Sequence, residues 1–181
     1  MRTLTAAWMF LAAAMLGCGP AASQKPVSGP PSVARLDFAG LSDIDALRRA
    51  AAHMRTLGWQ VEEDAANNQV VLTNPKGRKF GLRATMEGGE TLDRLVLFKA
   101  FRLKREGTDP AKVAEMVARL NNDITGVVYQ ISTDGALVCS LWIYFVDLLD
   151  AKVLPAAADF LEEVTVPLIA AKVPELVKLL E

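Results

Sequence analysis

Hydrophobic and polar positions change period several times along this 181-residue chain, and each change marks an element. Ile44, Leu47, Ala51 and Met54 recur at the spacing of one helical face. Ser42 precedes them with Asp45 three residues on, the arrangement of a capping box, and Leu57-Gly58 supplies the stop. His53, the only histidine, falls beside this stripe and is expected in solvent. From Trp59 the period drops to two. Residues 59–62 alternate, 65–68 turn, 70–72 are apolar, and Asn74-Pro75-Lys76-Gly77 turns again. Phe80, Leu82, Ala84 and Met86 alternate with Gly81, Arg83 and Thr85, which predicts a strand with one buried face. Gly88-Gly89 breaks it. Residues 92–105 read as a longer strand whose apolar phase slips near 98–100, so a bulge or bend is expected there.

Helical spacing returns at Val113, Met116, Val117 and Leu120. Asp109 is placed to cap that helix, Pro110 to occupy its first position, and Asn121-Asn122-Asp123 to end it. Residues 127–132 and 136–146 flank Asp134-Gly135, which predicts a hairpin with a two-residue turn. Residues 141–146 are apolar on both faces, so this strand is expected to be central or covered on both sides. A last helix starts near Asp150 with Phe160, Leu161, Val164 and Leu168 inward; Pro167 kinks or ends it, and Pro174 opens a final turn. Hairpin-linked strands between helices predict an α+β domain, an antiparallel sheet with helices mainly on one face. Val96, Phe98 and Ala100 then lie on the face opposite Leu95 and Leu97. They form a partner surface if that face is open, and part of the core if helices cover both faces.

The front of the chain follows neither period. Arg2 precedes an uncharged apolar run over residues 4–16, too short for a span of roughly 20 residues and laid out like a secretion signal. Met15-Leu16-Gly17-Cys18 resembles the lipobox of bacterial lipoproteins, although leucine is usual at the Met15 position. The resemblance implies cleavage before Cys18 and lipid on its thiol, with membrane anchoring strengthened by several acyl chains. Gly19 is not the aspartate that commonly retains such proteins in the inner membrane, so the outer membrane is expected. Ala21-Ala22-Ser23 offers ordinary signal cleavage as the alternative, and a retained anchor helix is disfavoured by length. The expected organisation is a signal over residues 1–17, a Pro/Ala/Ser/Gly tether over 18–34 and one domain over 35–181.

Composition narrows the chemistry. A 51% hydrophobic content suits one domain with its own core, and a net charge of −1 lacks the basic excess of a nucleic-acid binder. One histidine excludes multi-histidine metal sites, and no Walker loop or dinucleotide fingerprint occurs. No catalytic residue, cofactor or metal is therefore expected. Glu62-Glu63-Asp64 reads as a solvated strand end rather than a carboxylate pair, and Arg102, Lys104 and Arg105 beside Glu106 as an edge defence or solvent face rather than an anion site. With Cys18 lipidated, Cys139 has no partner in the chain and reads as a small buried hydrophobe.

Four stretches together resemble the YbjN family: Gly58-Trp59-Gln60-Val61, Ala118-Arg119-Leu120-Asn121, the hairpin from Tyr129 to Gly135, and the apolar strand after it. The resemblance covers residues 41–168 and departs from the family in the long, proline-interrupted C-terminal tail. It implies a fold like that of type III secretion chaperones and a small non-catalytic domain that binds a protein segment. The expectation is thus an envelope protein anchored through Cys18 that binds a polypeptide, or pairs with a second copy, and does not bind nucleic acid. An envelope enzyme with an unrecognised site is the alternative.

Overall fold

A computed structural model describes residues 34–88, 92–104, 109–124 and 126–181. The expected signal, the lipid site Cys18 and nearly all of the tether lie outside the described residues, as do Arg105 and Glu106. Residues from Val33 onward form one compact unit.

Helix α1 spans Asp43–Thr56, and Ser42 caps it by accepting the Asp45 N–H at 3.3 Å. Strands β2 (Gln60–Asp64), β3 (Gln69–Thr73), β4 (Lys79–Thr85) and β5 (Asp93–Phe101) follow as an antiparallel meander. Helix α2 spans Pro110–Asp123, with Asp109 accepting the Ala111 N–H at 3.0 Å. Strands β6 (Val128–Ile131) and β7 (Leu137–Phe145) complete a six-stranded sheet of order β2-β3-β4-β5-β7-β6, antiparallel throughout. Strand β7 is therefore internal, as its apolar run requires. Two elements have no sequence signal. Strands β1 (Arg35–Asp37) and β8 (Leu148–Asp150) pair with each other over three residues, after the chain leaves β7 through Asp147 at φ 54°.

The C-terminal helix divides into α3 (Val153–Glu163), α4 (Thr165–Lys172) and α5 (Pro174–Val177). The first break falls at Val164, because Pro167 cannot donate the amide bond that would continue α3 and its ring crowds the carbonyl four residues back. Leu161 is fully buried, and Phe160 and Leu168 pack against the core. In α1 the buried stripe is Ala46, Leu47, Ala50, Ala51 and Met54, which leaves the expected inward residue Ile44 exposed.

Two expectations about the strands are corrected. Strand β5 holds one register against β4 and β7 along its length, without a bulge. The apparent phase slip has a different cause: the inward position after Leu95 and Leu97 is Lys99, while Phe98 points to the other face. Lys99 ion-pairs with Glu162 of α3, its ammonium 5.6 Å from the Phe80 ring centroid and 5.2 Å from that of Phe101. A cation held this way occupies a covered position that an apolar residue would otherwise fill. The β6–β7 loop also differs. Ser132 and Ala136 still bond across the ladder at 2.9 Å, and the Gly135 N–H returns to the Ser132 carbonyl at 2.9 Å. That is a three-residue loop, a type I turn closed by Gly135 at φ 83°, rather than a two-residue turn.

The core lies between one face of the sheet and the helices. Val70, Leu72, Phe80, Leu82, Leu95, Leu97, Leu137, Cys139 and Ile143 project into it, and Met54, Val117, Leu120, Leu154 and Leu161 meet them from the helices. The architecture is α+β with helices on one face of an antiparallel sheet.

Candidate functional site

Side chains alternate across a strand, so register fixes which residues share the other face. Gly81 pairs with Phe98, Arg83 with Val96 and Thr85 with Arg94. Val96 pairs with Trp142, Arg94 with Tyr144, Phe98 with Ser140 and Ala100 with Val138. Strand β6 adds Val128 and Gln130, and β3 adds Val71. Among the described residues no helix packs on this face. Trp142 is 42% exposed and Tyr144 51%, and Leu92 and Val146 extend the apolar corner past the strand ends.

Of the three residues expected here, Ala100 is exposed while Val96 and Phe98 are half-buried. The Phe98 ring lies flat over Gly81, where a Cβ would sit 2.0 Å from its Cζ. The Arg83 guanidinium stands 5.3 Å from the centroid of that ring, and its Nε donates to Gln69 Oε1 at 3.2 Å. Arg94 repeats the arrangement 4.9 Å from the Trp142 ring, donating to Thr85 Oγ1 at 3.2 Å. Trp142 and Tyr144 meet edge to face at 6.2 Å. Trp142, Tyr144, Arg83 and Arg94 were not singled out from the sequence. The signal that marks them is parity with Phe98: they occupy the face that Leu95, Leu97, Leu82 and Ile143 do not.

Both edges of the sheet are guarded. On β6 the Tyr129 N–H donates to Asn121 Oδ1 and the Asn121 amide donates to the Tyr129 carbonyl, each at 2.8 Å. These are the backbone groups that an edge strand turns away from its partner, and the side chain of α2 takes the place of another strand. On β2 the edge carries Glu62, Glu63 and Asp64. Asp64 caps the short turn after it, and its hydrogen bonds with Asn67 and then Gln69 lower its pKa. Strand addition is disfavoured at both edges, so the sheet offers its open face rather than an edge.

Other polar residues have structural places. His53 is half-buried, its Nε2 2.8 Å from the Ala151 carbonyl, so it ties α1 to the β8–α3 connection rather than standing free in solvent. Burial pushes the Cys139 thiol up to about 12 and, with Cys139 beside it, the Tyr129 hydroxyl also to about 12. Arg102 and Lys104 are exposed where residues 102–104 meet the C-terminal segment, the Lys104 N–H donating to the Leu179 carbonyl at 2.8 Å. A cavity of about 1040 Å³ opens there between Leu103, Val113, Ile131 and Gly135. Among the described residues no three His, Cys, Asp or Glu side chains converge as metal ligands, and no helix is long and apolar enough to cross a membrane. No family model matches the chain, and no curated protein matches it at a significant level.

Proposed function

We propose that this protein is anchored in the bacterial cell envelope through lipid on Cys18, and that its domain binds polypeptide on the open face of the six-stranded sheet. The role is that of a chaperone or adaptor, without catalysis or cofactor, as the YbjN-like stretches imply. The observation that carries the reading is the apolar corner Trp142, Tyr144, Val96 and Phe98 on a face without helices among the described residues, between two edges that disfavour strand pairing. Covering the exposed part of Trp142 alone removes on the order of 100 Å² from water, which contributes about 2.5 kcal/mol before association costs. The anchor rests on Gly17-Cys18 after the apolar run, and the outer membrane on Gly19.

The compact unit from Val33 has its own core, so the domain is tested alone against reduced, unfolded lactalbumin. Saturable binding is expected, weakened about tenfold or more by Trp142→Asp, a loss of roughly 1.4 kcal/mol. Affinity unchanged by that buried charge would place the interface elsewhere. In the full chain, Cys18→Ser is expected to abolish fatty-acid labelling and processing.

A further inference from the structure

The charges of the open face narrow the partner, and this inference rests on the polypeptide-binding reading above. Four of the six strands (β4, β5, β7 and β6) turn Lys79, Arg83 and Arg94 to this face and no carboxylate. Its acids, Glu62 and Asp64, are confined to the β2 edge. The whole chain carries a net charge of −1, so the excess is local. Neither Arg83 nor Arg94 forms an ion pair within 4 Å among the described residues. Arg94 also keeps its Nε buried without a hydrogen-bond partner. The terminal nitrogens of the two guanidiniums, rather than this covered Nε, are the donors that a planar carboxylate on the face would meet.

We infer that the occupant is an extended acidic segment with carboxylates at alternate positions and apolar side chains beyond them on the same side. Arg83 and Arg94 stand diagonal across β4 and β5, a separation of about 7–8 Å. Side chains two residues apart on an extended chain are about 6.8 Å apart, which matches. Beyond Arg94 the same diagonal leads past Tyr144 to Val146 and Leu92, which the apolar side chains then cover. A single-stranded nucleic acid suits the face less well, because one side of the Phe98 and Trp142 rings is already taken by an arginine. Val96, beside Arg83 across the strands and two residues from Arg94, also offers nothing to a sugar-phosphate backbone.

The test measures anisotropy of a labelled twelve-residue peptide, Glu-Thr-Glu-Thr-Leu-Thr repeated, against the same peptide with Gln for Glu. The acidic peptide is expected to bind about tenfold more tightly, to weaken with salt, and to lose its advantage in Arg94→Gln. Arg83→Gln is the second variant, should Arg94→Gln unfold. Equal binding of both peptides overturns the charge inference and leaves the polypeptide reading standing. Binding of neither peptide, with anionic vesicles or an oligothymidine bound instead, overturns both. A concentration-dependent dimer that excludes the peptide assigns the face to a second copy and also overturns the inference.

Discussion

A Cβ on Gly81 would lie 2.0 Å from the Phe98 ring, so these two cross-strand residues act as one feature of the open face. Gly81→Ala must swing the ring outward and expose it. The expected cost is about 1 kcal/mol in the native background. In Phe98→Ala the same change becomes neutral or stabilising by about 0.5–1 kcal/mol, because alanine then brings only its backbone advantage. Urea titration of the four proteins measures the cycle, and an equal cost in both backgrounds would contradict the contact. Cys139 gives a second residue-level expectation. Its thiol is fully buried and held protonated, raised from 9.0 to about 12. Above pH 9 the unfolded chain releases this proton while the folded chain keeps it, so stability falls as pH rises from 9 toward 12. Tyr129, raised from 10.0 to about 12, adds to the same alkaline decline. Cys139→Ala should lower the melting temperature at neutral pH but flatten the alkaline limb. A melting temperature constant from pH 8 to 11 would show that neither group is held neutral by the fold.

At the scale of elements, α2 does two jobs. Its apolar stripe Val113, Val117 and Leu120 joins the core, and Asn121 closes the β6 edge. Asn121→Ala leaves the Tyr129 N–H and carbonyl unpaired, which costs about 1–3 kcal/mol. It also opens an edge to pairing with other chains. Denaturant unfolding and sedimentation check the two effects. A loss under about 0.5 kcal/mol with a strictly monomeric variant would show that Asn121 guards nothing. Elements signalled by local chemistry were legible in the sequence. Ser42 and Asp109-Pro110 place two helix starts, the alternation from Phe80 places β4, and Pro167 marks a break. Pairings that depend on distant chain were not. β1 and β8 are three residues each and exist only through one another. The slip near Phe98 reads as a bulge because an inward lysine looks like a polar surface position until Glu162, from a distant helix, is known to meet it. Asn121 reads as a helix terminator because its partner, the Tyr129 backbone, appears only when α2 docks on β6.

For the whole molecule, one face of the sheet holds the core and the other displays Trp142, Tyr144 and Phe98 with Arg83 and Arg94 stacked on two of the rings. The sequence carries this division as parity along β5 and β7, but both parities are apolar there, so it does not say which face the helices take. Only the arginines betray the open side, and they stand on strands whose register must first be known. The central claim is that this face receives polypeptide, and Trp142 reports on it. In the domain from Val33 the other tryptophan is Trp59, which is buried against Phe80. Trp59→Phe therefore leaves Trp142 as the sole tryptophan of the domain, excited apart from the two tyrosines at the red edge of the absorption band. The most direct measurement is its emission spectrum during titration with unfolded polypeptide. A saturable blue shift is predicted, as the half-exposed indole leaves water at the same concentrations that give binding by light scattering. Binding that leaves the emission of Trp142 unchanged would contradict the claim.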